Sequence, residues 1–368
     1  MKARLTQHQK SWFIKVAVTL ASTAALFLML KHEKLRTSVV SPIYNTDGGG
    51  GVRRLQTKDR PAITTLIPNT PNDLRDLCYA LRSLESLAVD DPSLKDAPVL
   101  CFNEGDIGFE KKDMIRACTN RPVHFPEVDF DFPPGFNAHI EVENDKMAKT
   151  VSHGGQNLGR PAWGYAQMIR FWTSRIWKHP ALDNYDTIMR IDTDSCFVNG
   201  GDEEDLNLPS IKKRYIYRSK GPGTGINQWI DGLYDFAVNY MKEEGMTPSY
   251  PELWQTIEDT WNKNEVLRTV GTNFEVSRLS FFRRPDVAKW LDALTETPPY
   301  GVFRYRWGDA QTRVLTLAMF GTKENILLRV HPGYVHGREF IQRGVMGPSK
   351  CAQYFNQYGR IDGAKESQ

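Results

Sequence analysis

The chain has 368 residues, with 47 Lys and Arg against 44 Asp and Glu and a formal net charge of +3. So balanced a chain offers no extended field to a polyanion, which argues against a nucleic-acid-coating role. A composition of 40% hydrophobic, 11% aromatic and 25% charged residues excludes a disordered, collagenous or mainly membrane-embedded protein. The five cysteines, Cys78, Cys101, Cys118, Cys196 and Cys351, contain no C-x-x-C pair, which speaks against a disulfide-dense scaffold and a structural zinc site. Their odd number leaves at least one thiol free or intermolecular in an oxidising compartment.

In chain order, Trp12 to Leu30 is an apolar run whose one charge is Lys15, just long enough to span a bilayer. It reads as an uncleaved signal anchor behind a short tail, residues 1–11. A cleaved signal peptide is the rival, but an A-x-A-like cut between Ala21 and Ala25 would halve the apolar run. Lys2, Arg4, Lys10 and Lys15 outnumber Lys31, Lys34 and Arg36, which favours a cytosolic tail and a lumenal body. Residues 31–60, with glycines at 48 to 51, read as a flexible stem, and residues 61–368 as a single catalytic domain. No N-x-Ser/Thr sequon occurs in the chain.

From Pro61 the pattern alternates. AITTLIP is a β-rich run; Asn72 to Ala88 places Leu74, Leu77, Leu81 and Leu84 at helical spacing; APVLCFNE is a second short strand. Gly164 to His179 then reads as a helix, Tyr185 to Phe197 as a strand running into acidic residues, and Ile326 to Val330 as a late strand. Strand, helix, strand alternation implies a mostly parallel α/β sheet, whose ligands bind beyond the carboxyl ends of its strands. No dinucleotide or P-loop glycine motif follows any of these runs.

Asp192-Thr193-Asp194 closes the apolar strand. Two carboxylates at i and i+2 leave the same side of an extended chain, and at a strand end both can approach one hard cation. Mg²⁺ or Mn²⁺ held in this way offsets the charge of a departing diphosphate. Taken alone, a D-x-D is as well explained by a solvated turn.

Here the run NYDTIMRIDTDSCF resembles the Y-D-x-x-x-R-I-E-P-D-x-x-F segment of the fungal α-1,2-mannosyltransferases of glycosyltransferase family 15. Further segments agree in the family's order. Tyr165 to Phe171 with His179-Pro180 resembles S-Y-x-x-M-C-R-F…R-H-P; Asn273-Phe274-Glu275-Val276 resembles N-F-E-I; Tyr305-Arg306-Trp307-Gly308-Asp309-Ala310 resembles Y-E-R-W-G-D-A. The likeness runs from about residue 61 to about residue 340. It departs from the family where Asp192 stands for Glu, Ile169 for Cys, and Arg268 to Thr272 for C-H-F-W-S.

The resemblance implies a GT-A-like α/β fold with a central, mostly parallel mixed sheet, and a Golgi type II membrane protein. It implies retaining transfer of mannose from GDP-mannose to a mannosylated glycan or glycoprotein, with Mn²⁺ as cofactor and Mg²⁺ as its substitute. Asp192, Asp194 and His336 are the implied metal ligands, His336 by way of the family's G-Y-x-H, with His331 as the local rival. Glu275 is the implied catalytic carboxylate, either as nucleophile or as charge stabiliser. Asp309 is the implied partner of an acceptor hydroxyl, although its place before a helical run fits an N-cap equally well. Tyr165, Arg170, Asp192 and Trp307 are expected to contact donor or acceptor, with an internal ion-pair role open for Arg170. Two other readings share these residues: transfer of another nucleotide sugar, and a catalytically inactive sugar-binding relative.

Overall fold

The computed structural model describes residues 60–85, 96–138, 163–197, 215–217, 223–224, 230–328 and 334–336. All of these lie within one compact unit, Thr57–Gln368. The expected anchor, the stem up to residue 59 and His331 lie outside the described residues. No helix among the described residues is long and apolar enough to cross a membrane.

The elements are β1 (Pro61–Leu66), α1 (Pro71–Glu85), β2 (Val99–Phe102), α2 (Phe109–Arg116), β3 (Val123–His124), α3 (Trp163–Arg170), β4 (Thr187–Ile191), β5 (Ser195–Phe197), β6 (Tyr215–Tyr217), β7 (Gly223–Thr224), α4 (Leu233–Glu243), α5 (Pro251–Asn264), β8 (Arg268–Thr269), β9 (Phe274–Arg278), α6 (Leu279–Phe282), α7 (Pro285–Thr295), α8 (Gly301–Arg304), α9 (Asp309–Phe320), β10 (Ile326–Leu328) and β11 (Tyr334–His336). The main sheet has the order β10-β6-β9-β4-β1-β2-β3. Only β9 runs antiparallel to its neighbours, β4 and β6, so the sheet is mixed and mostly parallel as the alternation implies. Two small antiparallel ribbons, β5 with β11 and β7 with β8, flank it.

Side-chain alternation splits the core between the two faces of the sheet. Ile63, Val99, Cys101, Met189, Ile191, Phe274 and Val276 join Leu74, Leu77, Leu81 and Leu84 of α1 on one face. Ala62, Leu100, Phe102 and Ile188 join Phe171, Trp172, Trp177, Phe282, Trp290 and α9 on the other. Arg190 and Glu275 share the parity of Ile188 and Ser277, so two charges lie on the second face beneath its aromatic residues.

Local chemistry sets the boundaries. α1 starts at Pro71, which needs no N–H there, and the Asp73 N–H donates to Thr70 Oγ1 at 3.2 Å, a side-chain cap. The helix expected over Gly164 to His179 continues past α3 as a π turn over Phe171–Arg175 and a 3₁₀ turn over Ile176–Lys178. The π turn buries four consecutive residues, Phe171 to Ser174, which a regular helix would rotate partly into solvent. The strand expected over Tyr185 to Phe197 is two strands. The chain turns between them, with the Ser195 N–H donating to Asp192 O at 3.1 Å and the Asp192 N–H to Ser195 Oγ at 3.1 Å.

Cys78 of α1 is bonded to Cys118 just past α2, closing a sequence separation of 40 residues, whereas Cys101 is a buried free thiol. Loop-closure entropy for such a bridge is worth about 3–4 kcal/mol. Replacing both Cys78 and Cys118 by Ser should lower the unfolding free energy by that amount, read from denaturant titration of the oxidised wild type and the variant side by side.

Candidate active site

The strand order reverses between β4 and β1, and the carboxyl ends of these strands open onto the turn that carries Asp192 and Asp194. Because β11 pairs with β5 in the register His336 with Ser195, the imidazole comes back to the same turn from much later in the chain. His336 Nε2 lies 3.1 Å from Asp194 Oδ1 and 3.6 Å from Asp192 Oδ2. The ligand atoms of the three side chains all lie within 4.8 Å of one another, and each side chain is partly exposed. Two carboxylates and an imidazole converging in this manner form a donor set suited to Mn²⁺.

The charges around the cluster are held by arginines. Arg190 is 2% exposed; its Nε donates to Asp192 Oδ1 at 3.2 Å and its Nη1 to Asp309 Oδ2 at 2.7 Å. The guanidinium lies 4.0 Å from the ring centroid of Trp172. Burial works against the charge of Arg190, but Asp192 and Asp309 outweigh it and raise its pKa. Burial likewise opposes ionisation of Asp192, but Arg190 and His336 prevail and hold its carboxyl below the usual range. For His336, burial favours the neutral ring, yet its bonds to Asp192 and Asp194 push the pKa up to about 9. A divalent cation entering the cluster would therefore displace a proton from His336 near neutral pH.

The other expected residues distribute as follows. Tyr165 is brought to the cluster. Its ring lies 4.7 Å beneath the Arg306 guanidinium, and burial, with Asp309 and Asp192 adding to it, raises its phenol pKa against the opposing charge of Arg306. Arg306 itself has φ of 56°, the left-handed region that a non-glycine residue rarely occupies, and it turns the chain between α8 and Gly308-Asp309. Asp309 is not the N-cap of α9. Gly308 holds that place and Asp309 is the first helical residue, its carboxylate shared between Arg190 and the Ala310 N–H.

Glu275 has no exposed surface, and both its oxygens accept from Arg313, at 3.1 Å from Nε and 3.0 Å from Nη2. It lies opposite Arg190 in the β4–β9 register. Trp307, expected to offer a ring to sugar, is 1% exposed instead. Its indole N–H donates to Asp231 O at 2.7 Å, and its ring lies over Gly301, where an added Cβ would come within 1.9 Å. The half-buried Tyr305 stacks on it.

Arg170 pairs with Glu296 rather than with the cluster. Its Nε donates to Glu296 Oε1 at 2.8 Å and its Nη2 to Glu296 Oε2, and Arg175 adds a second cation. Sequence reasoning passed over Arg190, Arg306 and Arg313. For Arg190 a signal was present, a charge set within the buried run Thr187–Ile191. For Arg313 there was none, since α9 is buried nearly all round and shows no single apolar face.

The family model described as glycolipid 2-alpha-mannosyltransferase matches residues 53–342. The chain belongs to this family. Among its curated members, O-glycoside alpha-1,2-mannosyltransferase homolog 2 of Schizosaccharomyces pombe is 26% identical over 59% of this chain and 58% of its own length. Glycolipid 2-alpha-mannosyltransferase 2 of Candida albicans is 26% identical over 64% of this chain and 50% of its own. The chain thus spans about half the length of these relatives. Two solved structures share the fold. Core-mannan synthase A of Aspergillus fumigatus, in a Mn/GDP form, has a TM-score of 0.64 at 21% identity, covering 76% of this chain and 75% of its own. The mannosyltransferase Ktr4p of S. cerevisiae in complex with GDP has 0.62 at 20%, covering 83% of each chain.

The Glu296 pairing yields a pH signature. Burial disfavours its ionised form, but Arg170 foremost, then Arg175, bring its pKa from 4.5 down to about 2. A folded pKa below the unfolded one contributes stability that is present above about pH 4.5 and lost as pH falls toward 2, up to about 3 kcal/mol. Glu296→Gln should be clearly less stable than wild type at pH 6, and urea titrations of the two should converge as pH approaches 2.

Proposed function

We propose that this chain transfers mannose from GDP-mannose to a mannose-bearing glycan, forming an α-1,2 linkage with retention of anomeric configuration, with Mn²⁺ as its cofactor. The observation that carries this reading is the convergence of Asp192, Asp194 and His336 beside the Arg190–Asp309 pair, beyond the carboxyl ends of the strands where an α/β fold binds its ligand. Family membership and the names of the relatives supply the sugar; the Mn/GDP form of the fungal synthase supplies the nucleotide and ion.

Asp192, Asp194 and His336 would hold the ion. When bound, it supplies positive charge against the diphosphate leaving group. Tyr165, partly exposed and held against Arg306, would orient sugar hydroxyls or phosphate oxygens. Asp309, 9% exposed, offers a carboxylate to the acceptor hydroxyl and can take its proton. Glu275 contributes fixed negative charge beneath the site, favouring positive charge as it develops on the sugar. Its full burial and its two bonds to Arg313 favour this stabilising role over covalent attack. Trp307 and Arg170 act as supports, the first under Tyr305 and the second tying the end of α3 to Glu296.

The working compartment is the secretory pathway, with the body lumenal behind a single-pass anchor at residues 12–30. The Cys78–Cys118 bond supports an oxidising compartment, and the apolar run of Trp12 to Leu30 supports the anchor.

Purified full-length protein, assayed against a panel of nucleotide sugars with a mannoside acceptor, should prefer GDP-mannose and depend on Mn²⁺. Preference for another donor, or turnover unaffected by chelation, would overturn the reading. Asp194→Ala should reduce transfer by at least about two orders of magnitude without loss of fold, whereas Asp192→Glu, one methylene longer, should stay active.

A further inference from the structure

Four buried charges form an alternating arrangement behind the cluster. On the sheet, Arg190 of β4 stands opposite Glu275 of β9. On α9, Asp309 and Arg313 are four residues apart and so share a helix face. The pairs cross from sheet to helix: Arg190 to Asp309 at 2.7 Å, and Arg313 to Glu275 at 3.0 Å. The side chain of Glu275 is fully buried, those of Arg190 and Arg313 are 3% and 2% exposed, and that of Asp309 is 11% exposed.

Arg313 is held more firmly than an ion pair requires. Its guanidinium carbon lies 4.4 Å from the Phe282 ring centroid and 4.9 Å from that of Trp177, and these two rings stack on each other at 3.9 Å. Nη2 also donates to Trp172 O at 3.3 Å, and the Trp172 ring faces Arg190. The cation at residue 313 is thereby fixed against Glu275 by two aromatic rings as well as by hydrogen bonds.

We propose that Arg313 is a positioning residue that takes up both oxygens of Glu275, leaves Arg190 to Asp309 and Asp192, and thereby sets the carboxylates that receive the ion. The reason is electrostatic. A buried carboxylate is stable beside a cation, and with Arg313 removed the charge of Glu275 would attract Arg190, which stands opposite it in the strand register. Drawn toward Glu275, Arg190 would release Asp309 and Asp192, and the cluster would lose its geometry. The inference rests on the proposed reading of Asp192, Asp194 and His336 as an ion site.

The test compares full-length wild type, Arg313→Met, Arg313→Lys and the double variant Arg313→Met with Glu275→Gln, each titrated with Mn²⁺ alone and followed by the spin-resonance signal of the free ion. Arg313→Met should weaken Mn²⁺ binding by about tenfold or more, the scale on which outer partners of metal ligands act. Arg313→Lys, which keeps the charge without the fork, should fall between it and wild type. The double variant removes the rival carboxylate charge as well, and should bind Mn²⁺ within about threefold of wild type, as coupled sites do when both partners are changed. Wild-type Mn²⁺ affinity in Arg313→Met, or a double variant as weak as Arg313→Met, would overturn the proposal. Should Arg313→Met not fold, the double variant decides alone: near-wild-type affinity supports the proposal and weak binding refutes it. A wild type that binds Mn²⁺ but transfers no mannose would defeat the functional reading while leaving this comparison intact; a wild type that binds no Mn²⁺ would defeat both.

Discussion

A buried guanidinium, that of Arg190, is the constraint on which the rest of the site depends. It stands near the end of β4, a strand otherwise buried and largely apolar, where an unpaired cation would carry a large desolvation penalty. The fold meets that penalty with Asp192 two residues on, just past the end of the strand, Asp309 at the start of α9, and the face of Trp172. Each partner comes from a different stretch of chain, so satisfying this one charge ties the strand end, the π turn after α3 and the first turn of α9 into a single geometry. The functional cluster inherits its rigidity from that requirement.

The same logic explains why the carboxylates divide their tasks. Asp192 touches both Arg190 and His336, so it belongs to the arginine network and to the proposed ion cluster at once. Asp194, two residues further round the turn, meets His336. Glu275 is removed from solvent altogether and paired with Arg313. Carboxylates gathered about one strand end would repel one another; Arg190 on the sheet face, bonded to Asp192 and Asp309, and Arg313 on α9, bonded to Glu275, make their accumulation tolerable. Aromatic planes at Trp172, Trp177 and Phe282 cover these cations without offering competing acceptors.

The alternating strand and helix pattern and the β1, β2 and β4 cores were legible in the sequence, because hydrophobic periodicity reports burial directly. The acidic strand end was legible as well, and the co-ordered family segments pointed to Glu275, Asp309 and His336. What was not legible is the partner each of these residues takes. That Asp192 and Asp194 lie in a turn between two strands follows from Ser195 closing that turn, an interaction a run of thirteen residues does not announce. That Trp307 is buried follows from Gly301 leaving room for its ring and from Asp231 accepting its N–H, both distant in sequence or without any local mark. That Arg170 serves Glu296 depends on a contact 126 residues away. Charge type can be read along a chain; the partner of a buried charge is fixed only by topology.

Replacing Arg190 by Lys tests this account most directly, because lysine keeps the charge but, lacking a fork, cannot hold Asp192 and Asp309 at the same time. Mn²⁺ affinity and mannosyl turnover of Arg190→Lys, measured beside its thermal unfolding, should show a folded protein in which both ion binding and turnover have fallen by about tenfold or more. A folded Arg190→Lys that binds Mn²⁺ and transfers mannose as wild type does would contradict the claim that this guanidinium organises the site.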